Sequence, residues 1–386
     1  MRKIAADTEQ AEFLLSLIRL PEGSRASPAI SDWDSVCRIA QEHGVLPLIS
    51  RRLADWAGAM PEDQACRIRE EAWRNTARNG ALAFELLRII PAFTSAGIPA
   101  LPFKGVVLAT QLDGDLAHRP AGDIDILIHF ADRHRAAEVM KEAGYILEPG
   151  DSDAVEVQFK RESDGMIVEL CWSLSPSWFR RELGLDAVWP HRCSCVLLGT
   201  AIPTFGPEHT LILLCLHGTK HEWMRLFWIR DVIQFLHVHP DLDWDFVQRE
   251  ARRLGLWRSV GLGVLLSHRL GGVGVADVVL RRFEADTRVR RLEEHVRRHL
   301  FDARYRQLDS LPNHYSVLDF RDRMRSLLKA GFAAPGSRDR AAIPLPGALG
   351  FLYYLVRPLR LMWACFIANR DNGDDREPSR QPGQDR

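Results

Sequence analysis

The chain is short of every feature that would place it in an extreme class. Lysine plus arginine equals aspartate plus glutamate, 51 of each in 386 residues. No net field draws in a polyanion, and a dedicated duplex-binding surface would show as a basic excess. A duplex nucleic-acid partner is therefore not expected. The seven cysteines, Cys37, Cys66, Cys171, Cys193, Cys195, Cys215 and Cys365, are odd in number and scattered. A chain of this size needs no staples, so they read as thiols of a reducing, cytoplasmic compartment. Cys193-Ser194-Cys195, with His191 beside it, has no second Cys/His pair at zinc-finger spacing, and a metal-free loop or strand is the simpler reading. The N-terminus is basic at Arg2 and Lys3 but acidic by Asp7, Glu9 and Glu12, without the long apolar core of a signal peptide. Internal repeats are absent. No uninterrupted apolar run reaches the ~20 residues of a membrane span. The most apolar stretch, 343–367, is broken by Arg357, Pro358 and Arg360. It reads as a helix packed on the body, with peripheral contact to a membrane surface as the open alternative.

What is present is an ordinary globular composition, 46% hydrophobic and 26% charged. The length allows two or three modules. Apolar residues at helical spacing mark 1–95 as a helical region. Residues 96–206 mix strands and helices, and 207–335 turn helical again, ending in one long helix over 276–300. The apolar and aromatic segment 336–370 follows. The polar, Pro- and Gly-containing tail 371–386 reads as disordered.

The stretch with chemistry in it runs from 101 to 130. Asp123 and Asp125 alternate with Ile124 and Ile126, which predicts a strand whose two carboxylates point the same way. Like charges on one face cost free energy unless a cation sits between them, and a divalent metal held by oxygen ligands is the economical candidate. Upstream, Pro99 to Phe103 reads as a strand, Lys104-Gly105 as a tight turn and Val106 to Leu112 as a helix. Gly105 lets a backbone approach a ligand, and the helix start offers N–H groups suited to a phosphate. Downstream, Val155 to Lys160 and Met166 to Trp172 alternate around Ser163-Asp164-Gly165, as a hairpin does. Such a hairpin would carry Glu169 alongside Asp125. His217, Lys220 and His221, at i, i+3 and i+4, share one helix face. They read as pocket lining or a structural network. Asp231, embedded among apolar residues, is expected to pair with a buried base such as Arg225 or Lys220.

Lys104-Gly105, the helix, and Arg119-Pro-Ala-Gly-Asp123-Ile-Asp125-Ile-Leu-Ile together resemble the DNA polymerase beta-like nucleotidyltransferase superfamily. The narrower resemblance is to a bacterial branch known simply as nucleotidyltransferase family proteins. It extends through Leu213–His221 and Leu226–Asp231, loosely to about residue 270. The superfamily usually carries Gly-Ser or Gly-Gly where this chain has Lys104-Gly105, and the branch usually carries His where this chain has Cys171. The resemblance implies an α+β fold, a small mixed sheet flanked by N-terminal and C-terminal helical regions. It also implies a third carboxylate, supplied here by Glu169. Asp123, Asp125 and Glu169 would be both catalytic residues and ligands of Mg2+ or Mn2+. Lys104, Gly105, Arg119, His217, Lys220 and His221 would line the nucleoside triphosphate site, although Arg119 equally suits a structural pair with an Asp. The implied activity is transfer of an NMP to a small-molecule, peptide or protein acceptor with release of pyrophosphate. A nucleotide-binding scaffold of the same fold, without turnover, is the alternative.

Overall fold

The structure is a computed structural model that describes residues 9–19, 30–53, 56, 60–149, 155–174, 183–302 and 352. Apart from residue 352, the region 303–386, with the apolar segment 343–367 and the tail 371–386, lies outside the described residues.

Three short helices open the chain: α1 (Glu9–Arg19), α2 (Trp33–Glu42) and α3 (Leu46–Arg52). Asp32 starts α2 by accepting the Ser35 N–H at 3.0 Å, the N-cap bond that satisfies an otherwise orphan donor. The Phe13 ring of α1 meets Trp33 edge-on at 5.5 Å and Trp56 at 5.4 Å. The long helix α4 (Glu62–Ser95) then runs for 34 residues. Leu82, Leu86, Ile89, Ile90 and Phe93 recur at intervals of three and four and are buried in the same apolar core as the sheet.

Past α4 come β1 (Ala100–Phe103), α5 (Gly105–Asp113), β2 (Ile124–Ile128), α6 (Arg133–Glu142), β3 (Ile146–Leu147), β4 (Glu156–Lys160) and β5 (Ile167–Cys171). The sheet order is β1-β2-β5-β4-β3. Strands β1 and β2 pair antiparallel, β2 and β5 parallel, and β5 and β4 antiparallel. The sheet is thus mixed, and the parallel pair at its centre sets Asp125 opposite Glu169. Ile126 and Leu170 fall opposite each other one step on, both fully buried, so the carboxylates alternate with core residues along both strands.

A short helix α7 (Leu185–Val188) leads to a two-stranded ribbon, β6 (Cys193–Leu197) and β7 (Thr200–Thr204). The sequence reads as a strand over 195–198 and a turn over 203–207, but Pro203 lies within β7, because both strands of a two-stranded ribbon are edges and an edge strand tolerates a proline. Thr204 Oγ1 ties the ribbon to the sheet by donating to the Pro102 carbonyl at 2.9 Å, and the Phe103 and Phe205 rings stack at 5.2 Å.

From 207 to 302 the described residues are helical: α8 (Pro207–Lys220), α9 (Leu226–Val238), α10 (Trp244–Leu254), α11 (Trp257–Gly271), α12 (Asp277–Glu284) and α13 (Thr287–His299). The single helix expected over 276–300 is two. Asp286 accepts the Arg288 N–H at 2.9 Å, and a side chain that bonds nearby backbone in this way starts a helix rather than continuing one. Between α8 and α9 the consecutive residues Glu222 and Trp223 both have positive φ, 54° and 56°. That turn drives the Trp223 ring, 1% exposed, between α8 and α11. A Cβ on Gly218 would meet the ring at 2.5 Å, so the helix face there has to be bare. No helix among the described residues is long and apolar enough to cross a membrane.

Candidate active site

Where β1 turns into α5, Lys104 adopts φ 53°, ψ −147° and Gly105 follows with φ 41°. The Lys104 conformation belongs to a region that side chains avoid, at a cost of about 1–3 kcal/mol. Two successive positive φ values are a conformation that glycine takes at little cost, and Lys104 takes the first of them with a side chain. Gly105 is the position with no room for a side chain, since a Cβ would stand 3.1 Å from the Asp123 carbonyl oxygen. The start of α5 is therefore pressed against the entry to β2.

The loop between α5 and β2 is held from below. Asn79 on α4, fully buried, donates through Nδ2 to the carbonyls of Leu116 and Arg119 at 2.6 and 2.7 Å. Arg119 is aimed by two further contacts. Its Nε donates to Asp231 Oδ2 at 2.9 Å and its Nη1 to the Gly105 carbonyl at 3.1 Å. Asp231 on α9 thus pairs with Arg119, not with Arg225 or Lys220. The distance in sequence, 112 residues, leaves no local signal for that pairing.

One cavity of about 320 Å³ gathers these groups. All nine residues that the resemblance assigns to the site line it: Lys104, Gly105, Arg119, Asp123, Asp125, Glu169, His217, Lys220 and His221. Asp125 is 4% exposed, and Lys104 Nζ stands 3.1 Å from its Oδ1. Burial works against the Lys104 ammonium, but Asp125 and the other groups around it, Asp123 among them, together outweigh it and leave the Lys104 pKa above the ordinary value. Burial and the Asp125 charge push Asp123 up, although Lys104 and Arg119 pull the other way. Glu169 rises to about 7, first from burial and then from the charges of Asp125, Asp123 and Glu156. Carboxylates that resist ionising together are a site short of positive charge.

Their oxygens are the donors a hard divalent cation takes, and such an ion would relieve this repulsion. The donor set fits. The side chains as they stand are not closed around an ion: among the described residues no three His, Cys, Asp or Glu side chains gather as ligands, and the Lys104 ammonium supplies positive charge beside Asp125.

The opposite wall comes from α8 and α9. The His217 and His221 rings are 4.6 Å apart, and His221 stacks on Trp228 at 4.8 Å. Lys220 closes α8, while His221 is its C-cap and so lies just past the helix. Burial, reinforced by Lys104 and His221, holds the His217 pKa well below its usual value, so this imidazole is neutral and offers hydrogen bonds rather than charge. Cys171 is not among the residues that line the cavity. Its buried Sγ lies 3.8 Å from Glu156 Oε2, and burial, with Asp125 next, pushes the thiol well up, keeping it protonated.

A family model described as uncharacterised nucleotidyltransferase matches residues 30–272. The chain belongs to that family. No curated protein matches the sequence. Two solved structures resemble it remotely. One is the lincosamide antibiotic adenylyltransferase LnuA with lincomycin bound, at 14% identity, 40% of this chain, 96% of that chain and a TM-score of 0.31. The other is an antigenic nucleotidyltransferase-like protein from Paracoccidioides brasiliensis, at 16% identity, 53% and 96% coverage and a TM-score of 0.30. Family membership follows from the match over 30–272 by itself, and it makes the chain a transferase with an α+β fold.

In this nucleotidyltransferase the cavity also contains residues that the sequence did not single out. Glu156 on β4 and Phe227 on α9 line it, and Glu156 Oε1 lies 3.9 Å from Lys220 Nζ. Glu156 sits in a legible strand, one strand removed from Glu169, and the sheet order alone puts it at the rim. Phe227 lies within the Leu226–Asp231 block without a role legible there; it lines the cavity because α9 begins beside Arg119, whose guanidinium lies 5.9 Å from its ring.

Proposed function

We propose that this nucleotidyltransferase moves an NMP from a nucleoside triphosphate to an acceptor hydroxyl, with Mg2+ or Mn2+ held by Asp123, Asp125 and Glu169. The observation that carries the reading is the parallel register of Asp125 with Glu169 in a cavity shared with Asp123 and with Lys104 and Lys220. The acceptor oxygen attacks the α-phosphorus. An O–P bond forms, the bond from that phosphorus to the bridging oxygen breaks, and pyrophosphate leaves. The metal, when bound, neutralises charge on the reacting oxygens.

The chain's own residues divide the remaining work. Lys104 and the N–H groups opening α5 hold the phosphate tail, in the manner of a helix N-terminus. Arg119, fixed by Asp231, braces the Gly105 turn on which that tail rests. Glu169 would complete the acceptor-side ion site and, once a cation relieves the repulsion that raises its pKa in the metal-free chain, would be the carboxylate that accepts the proton of the acceptor hydroxyl. Neutral His217 and the His221–Trp228 stack form the wall against which a base or acceptor packs. Small molecules, peptides and proteins are all acceptors that this chemistry admits.

Pyrophosphate release from ATP and the other nucleoside triphosphates, with Mg2+ or Mn2+ and a broad acceptor panel, tests the proposal. Asp123→Ala and Asp125→Ala should each lower turnover by roughly 10³-fold, the scale of several kcal/mol of lost charge stabilisation. Unchanged turnover in both variants removes the reading. Metal-dependent nucleotide binding with no pyrophosphate from any acceptor selects the scaffold reading instead.

A further inference from the structure

A second cavity, about 560 Å³, lies away from the reaction site between α1, α3, α9 and the end of α11. Its polar wall is Arg19, Arg51, Arg52, Arg230, Gln234 and His237; the rest is aliphatic or glycine, and no carboxylate side chain is in the lining. Arg52 and Arg230 are themselves buried, at 8% and 6% exposure. Guanidiniums lining one cavity raise the local potential, and their planar forks match the oxygens of a phosphate.

Behind this wall the charges alternate in a row that is buried beyond the half-buried Arg51. Arg51 Nη1 lies 3.7 Å from Asp113 Oδ1, and Arg230 Nη2 donates to the same oxygen. Arg230 Nη1 faces Asp231 Oδ1 at 3.5 Å, and Asp231 Oδ2 accepts from Arg119 Nε at 2.9 Å. Arg119 lines the reaction cavity. The row Arg51, Asp113, Arg230, Asp231, Arg119 therefore joins the walls of the two cavities. Arg230 Nη1, Asp113 Oδ2 and Asp231 Oδ1 are buried without a hydrogen bond. Charge rather than full hydrogen bonding holds the row, so an added charge at one end redistributes it.

We propose that this second cavity binds a phosphate monoester and that its occupancy alters nucleotide affinity at the reaction cavity through the buried row. The guanidiniums take the phosphate. The volume exceeds that of a bare ion, and Leu17, Leu48 and Ile233 offer an apolar surface to the esterified group. The coupling, though not the site, rests on reading the other cavity as the nucleotide site.

Calorimetric titration of the full chain with phenyl phosphate, without nucleotide or metal, tests the site. Wild type should bind one equivalent, more tightly than it binds inorganic phosphate. Arg19→Gln, on an exposed position, and Arg51→Gln should each weaken binding about tenfold, the usual effect of one lost charge-assisted hydrogen bond. Lys104→Ala, in the reaction cavity, should leave it within about twofold, inside the scatter of such comparisons. Binding that survives both arginine changes, binding lost in Lys104→Ala, equal affinity for inorganic phosphate, or no binding to folded wild type overturns the assignment. At a phenyl phosphate concentration that fills the wild-type site but only part-fills that of Arg19→Gln, ATP affinity should then shift by at least about fivefold in wild type and by clearly less in Arg19→Gln. An unshifted affinity overturns the coupling. Phenyl phosphate binding in a protein that never binds ATP supports the second site and refutes the nucleotide reading, so the two fail separately.

Discussion

Replacing Lys104 by glycine sets two effects against each other, and their magnitudes decide the outcome. Glycine removes the strain of φ 53°, ψ −147°, about 1–3 kcal/mol, and gives back about 0.5–1 kcal/mol through the greater freedom of the unfolded chain. The same change strips Asp125 of the ammonium 3.1 Å away. Asp125 is 4% exposed, and orphaning one partner of a buried pair costs about 3–5 kcal/mol. The pair wins. In EDTA at pH 8, Lys104→Gly should lose about 2 kcal/mol, lowering Tm by about 4 °C at about 2 °C per kcal/mol for a body of this size. Asp125→Asn in the same background should restore wild-type stability or exceed it, because the strain relief remains and the stranded charge is gone. The double-mutant cycle should therefore show a coupling of at least about 2 kcal/mol, since Asp125→Asn alone strands the Lys104 ammonium and adds its own cost. Mg2+ should raise the Tm of Lys104→Gly more than that of wild type, since a bound cation does for Asp125 what the lysine did. Thermal unfolding of the four proteins, with and without Mg2+, reads all of this. A Lys104→Gly protein as stable as wild type in EDTA, or a coupling under about 0.5 kcal/mol, refutes the reasoning.

Two further outcomes follow from the geometry. Glu169 titrates near 7 against an ordinary value of 4.5, so the folded metal-free chain holds a proton there that the unfolded chain has lost; stability should fall as pH rises from 4.5 through 7, and Mg2+ should remove that slope. Calorimetry in buffers of different ionisation enthalpy should accordingly detect proton release on Mg2+ binding at pH 7, absent in Glu169→Gln. Gly218→Ala would place a Cβ 2.5 Å from the Trp223 ring and should cost about 1–3 kcal/mol by overpacking, seen as a lower urea midpoint; an unchanged midpoint would mean the Glu222–Trp223 turn is soft.

Local pattern determined much of this molecule. The alternation Asp123-Ile124-Asp125-Ile126 and the punctuated hairpin around Asp164-Gly165 made the two acidic strands legible, because period-two alternation and turn residues are properties of neighbours in sequence. The same locality explains the misreadings. A 276–300 helix looked continuous because Asp286 acts on backbone two residues away, and Pro203 hid β7 because only the missing third strand makes the proline harmless. Tertiary structure alone decided the partner of Asp231, the arrival of Glu156 and Phe227 at the cavity, and the burial that lifts Glu169 toward neutrality. Each depends on chain segments brought together across long stretches of sequence, and desolvation is a property of what surrounds a group rather than of what adjoins it in the chain. The sequence thus supplied the acidic donors and the turn; packing set their charge, their spacing and the row of ions behind them.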